Sequence, residues 1–176
     1  YFYLVTGITL GIFAAGVGNL LSLIFDVTIK GPAQVGGITF NQQQFSLGLA
    51  MTIIGGPLWF MFWRAIKHRV TGNQEEIGAG MRKFYLNLIL LVTAITGLTS
   101  IAGFLIWLVA GARLIEFSAG GLAAFIVAGT IWYYHWRVSE TEGHPSPAAR
   151  TLRRWYVYYL SAFGLVWLAT GPVLLI

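Results

Sequence analysis

The chain alternates between five long apolar stretches, which carry no Asp, Glu, Lys or Arg, and shorter segments that hold every charged side chain. An α-helix of about 20 apolar residues spans the roughly 30 Å hydrocarbon core of a bilayer, and each stretch is long enough to do so. The pattern therefore predicts five transmembrane helices, at residues 1–25, 45–63, 84–112, 119–136 and 155–176.

Every stretch is apolar on all sides, whereas the strands of a membrane barrel alternate apolar and polar residues. Composition agrees with a helical membrane protein: 57% of the 176 residues are hydrophobic and 10% are charged, against about 25% charged residues in soluble domains. We therefore expect an all-α fold, a polytopic transmembrane helical bundle of five spans that forms a single domain over residues 1–176. The bundle is expected in the inner (plasma) membrane of a cell.

Basic side chains are concentrated in two of the four segments between the spans. Segments 64–83 and 137–154 hold nine of the eleven Lys and Arg residues, and the other two segments hold only Lys30 and Arg113. Because basic residues that flank spans stay in the cytoplasm, the residue 1 end is expected to be cytoplasmic and the residue 176 end outside. Short basic segments at a membrane surface suit anionic lipid headgroups, so we expect membrane lipids and no nucleic acid as partners.

A repeated sequence motif marks the cytoplasmic end of two spans. Trp59 to Arg64 closes the second span and Trp132 to Arg137 closes the fourth, which gives the pattern Trp-x3-Trp-Arg twice, 73 residues apart. We interpret the unit as a two-helix hairpin in parallel repeats, with repeat 1 at about 1–70, repeat 2 at about 82–140 and a partial repeat 3 at about 153–176. A third repeat without its return helix indicates a fragment of a longer protein. Each repeat opens with an aromatic residue and a tyrosine, as Phe2-Tyr3, Phe84-Tyr85 and Trp155-Tyr156.

These motifs also resemble a known family. A basic pair with aromatic-Tyr entering one span, and Gly56-Pro57-Leu58-Trp59 leading to Trp63-Arg64 at the end of another, are similar to the bacterial membrane family catalogued as domain of unknown function 5671. The resemblance covers nearly the whole chain. In that family the second box reads Trp-x-x-His-Trp-Arg, which His135 matches, whereas Phe62 replaces the histidine in the first copy. The resemblance implies a bacterial membrane protein and brings no assigned activity with it.

Candidate interface residues lie in these boxes and in the basic pairs before the odd-numbered spans. Tryptophan prefers the headgroup level, where its ring and its N–H both find a suitable environment, so anchoring is the simplest role. A second interpretation stacks Arg64 and Arg137 over Trp rings or against Tyr hydroxyls of the neighbouring hairpin, where they clamp a lipid phosphate or hold the repeats together. The full candidate set is Trp59, Trp63, Arg64, Arg82, Trp132, His135, Trp136, Arg137, Arg153 and Arg154.

His135 is the one histidine inside a predicted span. We interpret it as a hydrogen-bonding residue near the membrane interface. Two alternatives stay open: an axial ligand of a haem or pigment, which generally requires a second ligand on a facing helix, and a proton relay. Since the spacing of the other residues suggests no partner ligand, no cofactor and no metal site is predicted.

Small and amide residues within the spans predict helix packing, because glycines let helices approach closely and an asparagine can bridge two helices. Capping signals at Asn73 and Ser146 predict that the third and fifth helices begin several residues before their apolar stretches. Segment 30–44 is predicted to be a polar outer loop. The candidate packing residues are Gly7, Gly11, Asn19, Asn87, Gly97 and Gly103.

The sequence leaves three function classes open. It contains no cysteine and no arrangement of serine, histidine and carboxylate residues that suggests catalysis, so an enzyme is not expected. The leading hypothesis is a non-enzymatic repeat module that associates with lipid or with other membrane proteins. The first alternative is a transporter or channel for a small solute, with its pathway near Asn19, Asn87 and His135. The second is a haem- or pigment-binding membrane subunit.

Overall fold

The protein is all-α in the computed structural model, which describes residues 1–31, 38–72, 79–113, 116–143 and 147–170. Within these ranges there are five long helices and no strands, as the apolar pattern predicts. The helices are α1 (Phe2–Lys30), α2 (Ile38–Gly72), α3 (Gly80–Val109), α4 (Ala119–Glu142) and α5 (Pro147–Thr170).

Three of the helices are long and apolar enough to cross a membrane: α1, residues Phe40–Val70 of α2, and α3. The other two helices are less apolar over their described residues. The apolar part of α4 gives way after Ile131 to Trp, Tyr and His side chains, and α5 has Arg150, Arg153 and Arg154 in its first two turns. The chain is therefore consistent with a membrane protein, and three of its five predicted spans are supported by length and composition.

Helix boundaries extend beyond the apolar stretches. The predicted outer loop 30–44 is too long, because α2 begins at Ile38 and includes the polar residues 41–44, which a helix accommodates without strain. Helices α3 and α5 begin at Gly80 and Pro147, several residues before their apolar stretches, as predicted. The capping residues proposed for them, Asn73 and Ser146, lie outside the described residues.

Helices α1 and α2 form a tight pair because glycines remove side chains from their contact. A Cβ atom on Gly16 would lie 2.7 Å from the Thr52 backbone nitrogen, and one on Gly55 would lie 2.7 Å from the Phe13 backbone nitrogen. Both distances are shorter than real Cβ contacts, so only glycine fits at these positions.

Of the four glycines predicted to pack helices, Gly7 alone has an atom of another helix within contact distance of its Cβ position. A Cβ atom on Gly11, Gly97 or Gly103 would meet no atom within 4 Å, and one on Gly7 would meet only the Tyr85 ring, at 3.6 Å. Spacing of small residues identifies a helix face that can be approached closely. It does not say whether a neighbouring helix lies there, and this is why the prediction is wrong for Gly11, Gly97 and Gly103 within this chain.

Helix α1 packs along α2 and also against α4 and α3, while α3 packs along α4 and contacts α5. Much of the outer surface is apolar, with exposed side chains such as Ile53, Leu105 and Leu165, as expected of helices that face lipid. A group of well-buried side chains lies where the end of α2, the beginning of α3 and the end of α4 meet: Trp63, Arg82, Lys83, Leu86 and His135.

Candidate functional site

An aromatic cluster surrounds Trp63, which is 3% exposed. The ring centroids of His135, Tyr85 and Tyr134 lie 5.5, 5.8 and 6.2 Å from that of Trp63, and Trp59 stacks on it at 6.5 Å. The indole nitrogen of Trp63 donates a hydrogen bond of 2.6 Å to the Tyr134 hydroxyl. We call these five residues the Trp63 cluster. The cluster joins α2, α3 and α4. Trp63 therefore packs inside the protein, whereas the sequence predicted a position among the lipid headgroups.

The imidazole of His135 is enclosed in this cluster and is 1% exposed. Its Nδ1 lies 2.9 Å from the carbonyl oxygen of Ile131, one turn earlier in α4. A carbonyl oxygen only accepts, so Nδ1 carries the proton and Nε2 is left as an acceptor. Nε2 is buried without a hydrogen-bond partner. The predicted hydrogen-bonding role is therefore present, but with the residue's own helix and inside the protein.

A second pair of stacked tryptophans occupies the matching position of the second motif. Trp132 and Trp136 lie 5.8 Å apart with their planes at 3°, compared with 6.5 Å and 11° for Trp59 and Trp63. The indole nitrogen of Trp132 donates a hydrogen bond of 3.3 Å to the Tyr156 hydroxyl. This pair connects α4 to α5 and is more exposed than Trp63.

Two buried cations share one carboxylate next to the Trp63 cluster. Arg82 Nε lies 3.1 and 3.0 Å from the two carboxylate oxygens of Glu142, and Arg82 Nη2 also donates to Oε1. Lys83 Nζ donates to Glu142 Oε2 at 3.0 Å and to the Gly143 carbonyl oxygen at 2.9 Å. We call Arg82, Lys83 and Glu142 the basic cluster. It ties the beginning of α3 to the end of α4.

The basic cluster corrects the prediction that Arg82 faces lipid headgroups. Arg82 and Lys83 are 1% and 0% exposed, and the Arg82 guanidinium lies 5.7 Å from the centre of the Trp63 ring. Sequence reasoning missed Glu142, although one signal was available. His135, Ser139 and Glu142 are spaced i, i+4 and i+7, so they lie on one face of a helix that continues past Trp136.

The electrostatics of Glu142 follow from these contacts. Burial alone would raise the pKa of its carboxyl group, but the hydrogen bonds and positive charges of Arg82 and Lys83 outweigh burial and hold the pKa below its ordinary value. The carboxylate is thus kept ionised at neutral pH, between two cations.

The remaining basic candidates lie nearer the surface. Arg64, Arg137 and Arg154 are exposed, and neither Arg64 nor Arg137 is among the described cations that lie over an aromatic ring. Among the described residues other cations take that place: Lys67 Nζ lies 5.4 Å from the Tyr134 ring centre. Arg153 lies 3.3 Å from Glu140 and 5.6 Å from the Tyr156 ring centre.

A cleft of about 470 Å³ lies between α1, α3 and α4. Small residues such as Gly11, Ala15 and Ala124 form most of its wall, together with Gly7 and Asn19. The hydroxyls of Thr93 and Thr96, which also line it, donate to carbonyl oxygens one turn earlier in α3, so these groups are already satisfied. The cleft wall is therefore mostly apolar in its chemistry.

The other packing candidates have different surroundings. Asn87 is buried, and its side-chain nitrogen donates a hydrogen bond of 2.8 Å to the Lys83 carbonyl oxygen. This bond lies within α3, so the predicted bridge between two helices is not the bond that Asn87 makes. The backbone oxygen of Asn19 accepts a bond of 3.5 Å from Gln44 of α2. Gly97 and Gly103 line two smaller depressions. In the described part of the chain, no group of three or more His, Asp or Glu residues is placed to hold a metal ion.

Comparison with known proteins adds one finding. A sequence profile of the family described as "Domain of unknown function (DUF5671)" matches residues 1–115. No curated protein and no solved structure matches the chain.

Proposed function

The chain belongs to the DUF5671 family, and since that family's description assigns no activity, we propose from the geometry that the protein is a non-enzymatic membrane module whose cleft binds lipid. The observation that carries the proposal is the cleft between α1, α3 and α4. Its volume of about 470 Å³ falls within the range of small-molecule sites. Its apolar wall suits a hydrocarbon chain.

We propose that all five helices cross the inner membrane of a bacterial cell, with residue 1 in the cytoplasm and residue 176 outside. Helix α4 packs against α1 and α3, both apolar enough to span, and it carries apolar side chains from Leu122 to Ile131. Residues 64–83 and 137–154, which hold most of the basic side chains, then lie on the same cytoplasmic side.

The two-helix repeat is part of the same proposal. The tryptophan pairs of the two motifs stack in nearly the same way. In both cases the first tryptophan of the motif meets the tyrosine that opens the following repeat. Trp132 donates to Tyr156, and Trp59 lies close to Tyr85. Equivalent tryptophans therefore have equivalent tyrosine neighbours, which supports the proposal of parallel hairpin repeats. The exposed aromatic side chains of α5, including Trp155 and Tyr158, offer a surface for other membrane proteins.

A cleft-filling substitution tests lipid binding directly. Gly11→Phe places a ring in the cleft, and no atom within 4 Å of the Gly11 Cβ position opposes it. The purified variant, in nanodiscs of phosphatidylethanolamine and phosphatidylglycerol, is expected to retain fewer lipids by native mass spectrometry after transfer to detergent. Gly164→Phe is the matched control, since Gly164 is equally open and lies on α5, away from the cleft. Equal lipid retention in wild type and both variants would contradict the proposal.

A transporter or channel is the second candidate, and one observation favours it. One end of the cleft reaches the Trp63 cluster through two lining residues, Gly7 and Ile131. A Cβ atom on Gly7 would lie 3.6 Å from the Tyr85 ring. The carbonyl oxygen of Ile131 accepts the hydrogen bond of His135. Proteoliposomes that swell with glycerol or urea, and that lose this swelling with Gly11→Phe, would favour transport over lipid binding. The haem or pigment hypothesis is tested by the visible absorbance of the purified protein.

A further inference from the structure

The cleft between α1, α3 and α4 is apolar at one end and polar at the other. Along α1 its lining runs from Gly7 to Ser22, a distance of about 22 Å at about 1.5 Å per helical residue. Aliphatic side chains line the end at Gly7, whereas Asn19 and Ser22 line the other end together with Gly120, the second residue of α4. A long apolar cleft with polar groups at one end matches the shape of an amphiphile, which has a hydrocarbon chain and a polar head.

The polar side chains at this end are available to a ligand. The hydroxyls of Thr93 and Thr96, in the middle of the cleft, already donate within α3. Among the described residues, by contrast, the amide of Asn19 and the hydroxyl of Ser22 make no hydrogen bond, and both groups can donate one. The Ser22 hydroxyl oxygen lies 3.7 Å from the Cβ position of Gly120, in the first turn of α4, where the positive end of the helix dipole favours an acceptor oxygen.

This end of the molecule carries no net charge. None of the described residues that line the cleft is charged. The full sequence places four charged side chains near this end: Asp26 with Lys30, paired at 2.9 Å, and Arg113 with Glu116, paired at 3.6 Å. The whole surplus of five positive charges therefore belongs to the opposite end of the helices. An anionic head would enter this end of the cleft without a counter-charge, which is strongly unfavourable in an apolar environment.

We propose that the cleft prefers a lipid whose head is uncharged and bears acceptor oxygens, with the head against Asn19 and Ser22 and the hydrocarbon chain directed towards Gly7. The inference rests on the proposed binding of lipid by the cleft, and it adds the class of lipid and its orientation. An acylglycerol and a prenyl quinone are two sources of the same chemistry, since both combine an apolar chain with uncharged oxygen atoms.

Two probes with the same chain separate the contribution of the head from that of the chain. Mono-oleoylglycerol has an uncharged head, and oleoyl-lysophosphatidylglycerol carries a phosphate; a prenyl quinone is the third probe. Each is titrated into the delipidated full chain in detergent, and binding is measured by native mass spectrometry. The double variant Asn19→Leu/Ser22→Ala removes the donors, with Ser161→Ala on the exposed face of α5 as its control. Ser22→Lys adds a cation to the cleft, and Ile24→Lys adds one at an exposed position nearby.

Wild type and Ser161→Ala are expected to bind mono-oleoylglycerol about ten-fold more tightly than the lysophospholipid, and the double variant to lose this preference. The tighter of the two uncharged probes identifies the source. Ser22→Lys is expected to prefer the lysophospholipid, whereas Ile24→Lys keeps the wild-type order.

Two failures are distinguishable. A wild type that binds the lysophospholipid equally or more tightly would overturn the head preference and leave lipid binding in place, and a wild type that binds no probe would contradict lipid binding itself. If the double variant does not fold, Ser22→Lys still decides, because an unchanged order of the probes in this variant would place the head elsewhere.

Discussion

At the scale of single residues, equivalent positions of the two motifs have different environments. Phe62 and His135 occupy the same place in the repeat, but His135 is buried against Trp63 and Tyr85, whereas Phe62 packs edge-on against Phe2. A polar ring is present only where the surrounding rings also carry polar atoms. His135 of the second motif therefore lies in the interior of the protein, where it is 1% exposed, whereas Phe62 of the first motif is only partly buried.

Glycine at the α1–α2 contact gives the first residue-scale prediction. Gly55→Leu should lower the free energy of unfolding by about 2 kcal/mol or more, because its Cβ would clash with the Phe13 backbone and force the helices apart. Gly97→Leu is the control, since its Cβ position is open. The measurement is denaturant unfolding in detergent micelles. Similar stability of the two variants would show that α1 and α2 are not packed as closely as described.

At the scale of helices, the bond between Trp63 and Tyr134 connects α2 to α4. A double-mutant cycle with Trp63→Phe and Tyr134→Phe should give a coupling free energy of about 0.6 to 1.7 kcal/mol, the range for hydrogen bonds between membrane helices. Unfolding of wild type, both single variants and the double variant supplies the four free energies. A coupling indistinguishable from zero would mean that this bond does not hold the helices together.

The contact between α3 and α4 depends on pH through Glu142. The pKa of Glu142 is lower in the folded protein than its ordinary value of 4.5, so ionised Glu142 stabilises the fold fully above that value. This stabilisation is lost as the pH falls below 4.5 and through the lower pKa of the folded state.

The unfolding midpoint of wild type is therefore expected to fall as the pH is lowered below 4.5, and more steeply than that of Glu142→Gln, which cannot lose this charge. Circular dichroism during heating at each pH provides the measurement. Parallel profiles for the two proteins would exclude Glu142 as the source of the pH dependence.

At the scale of the whole molecule, the positions of the helices along the chain can be predicted from the sequence. Most of the contacts that build the candidate site cannot. Uninterrupted apolar residues suffice to predict α1 and α3 because lipid-facing helices need no partner to define them. The predicted end of the fourth span at Trp136 placed Glu142 in a loop, whereas α4 continues to Glu142.

Pairing of Glu142 with Arg82, 60 residues away, depends on how α3 packs on α4, which no local pattern encodes. The same holds for the cleft. Gly11 is recognisable as a small residue, but only the packing of α1 against α3 and α4 shows that it faces open space.

The central claim, a module of five membrane spans, is tested most directly by the side of the membrane on which α5 begins. The chain has no cysteine, so single cysteines can be placed at Arg69, Arg113 and Arg150 and labelled with an impermeant maleimide in intact spheroplasts. Five spans predict labelling of Arg113→Cys alone, with Arg69→Cys and Arg150→Cys reacting only after lysis. Labelling of Arg150→Cys in intact spheroplasts would contradict the account, because α4 and α5 would then both lie outside a three-span protein.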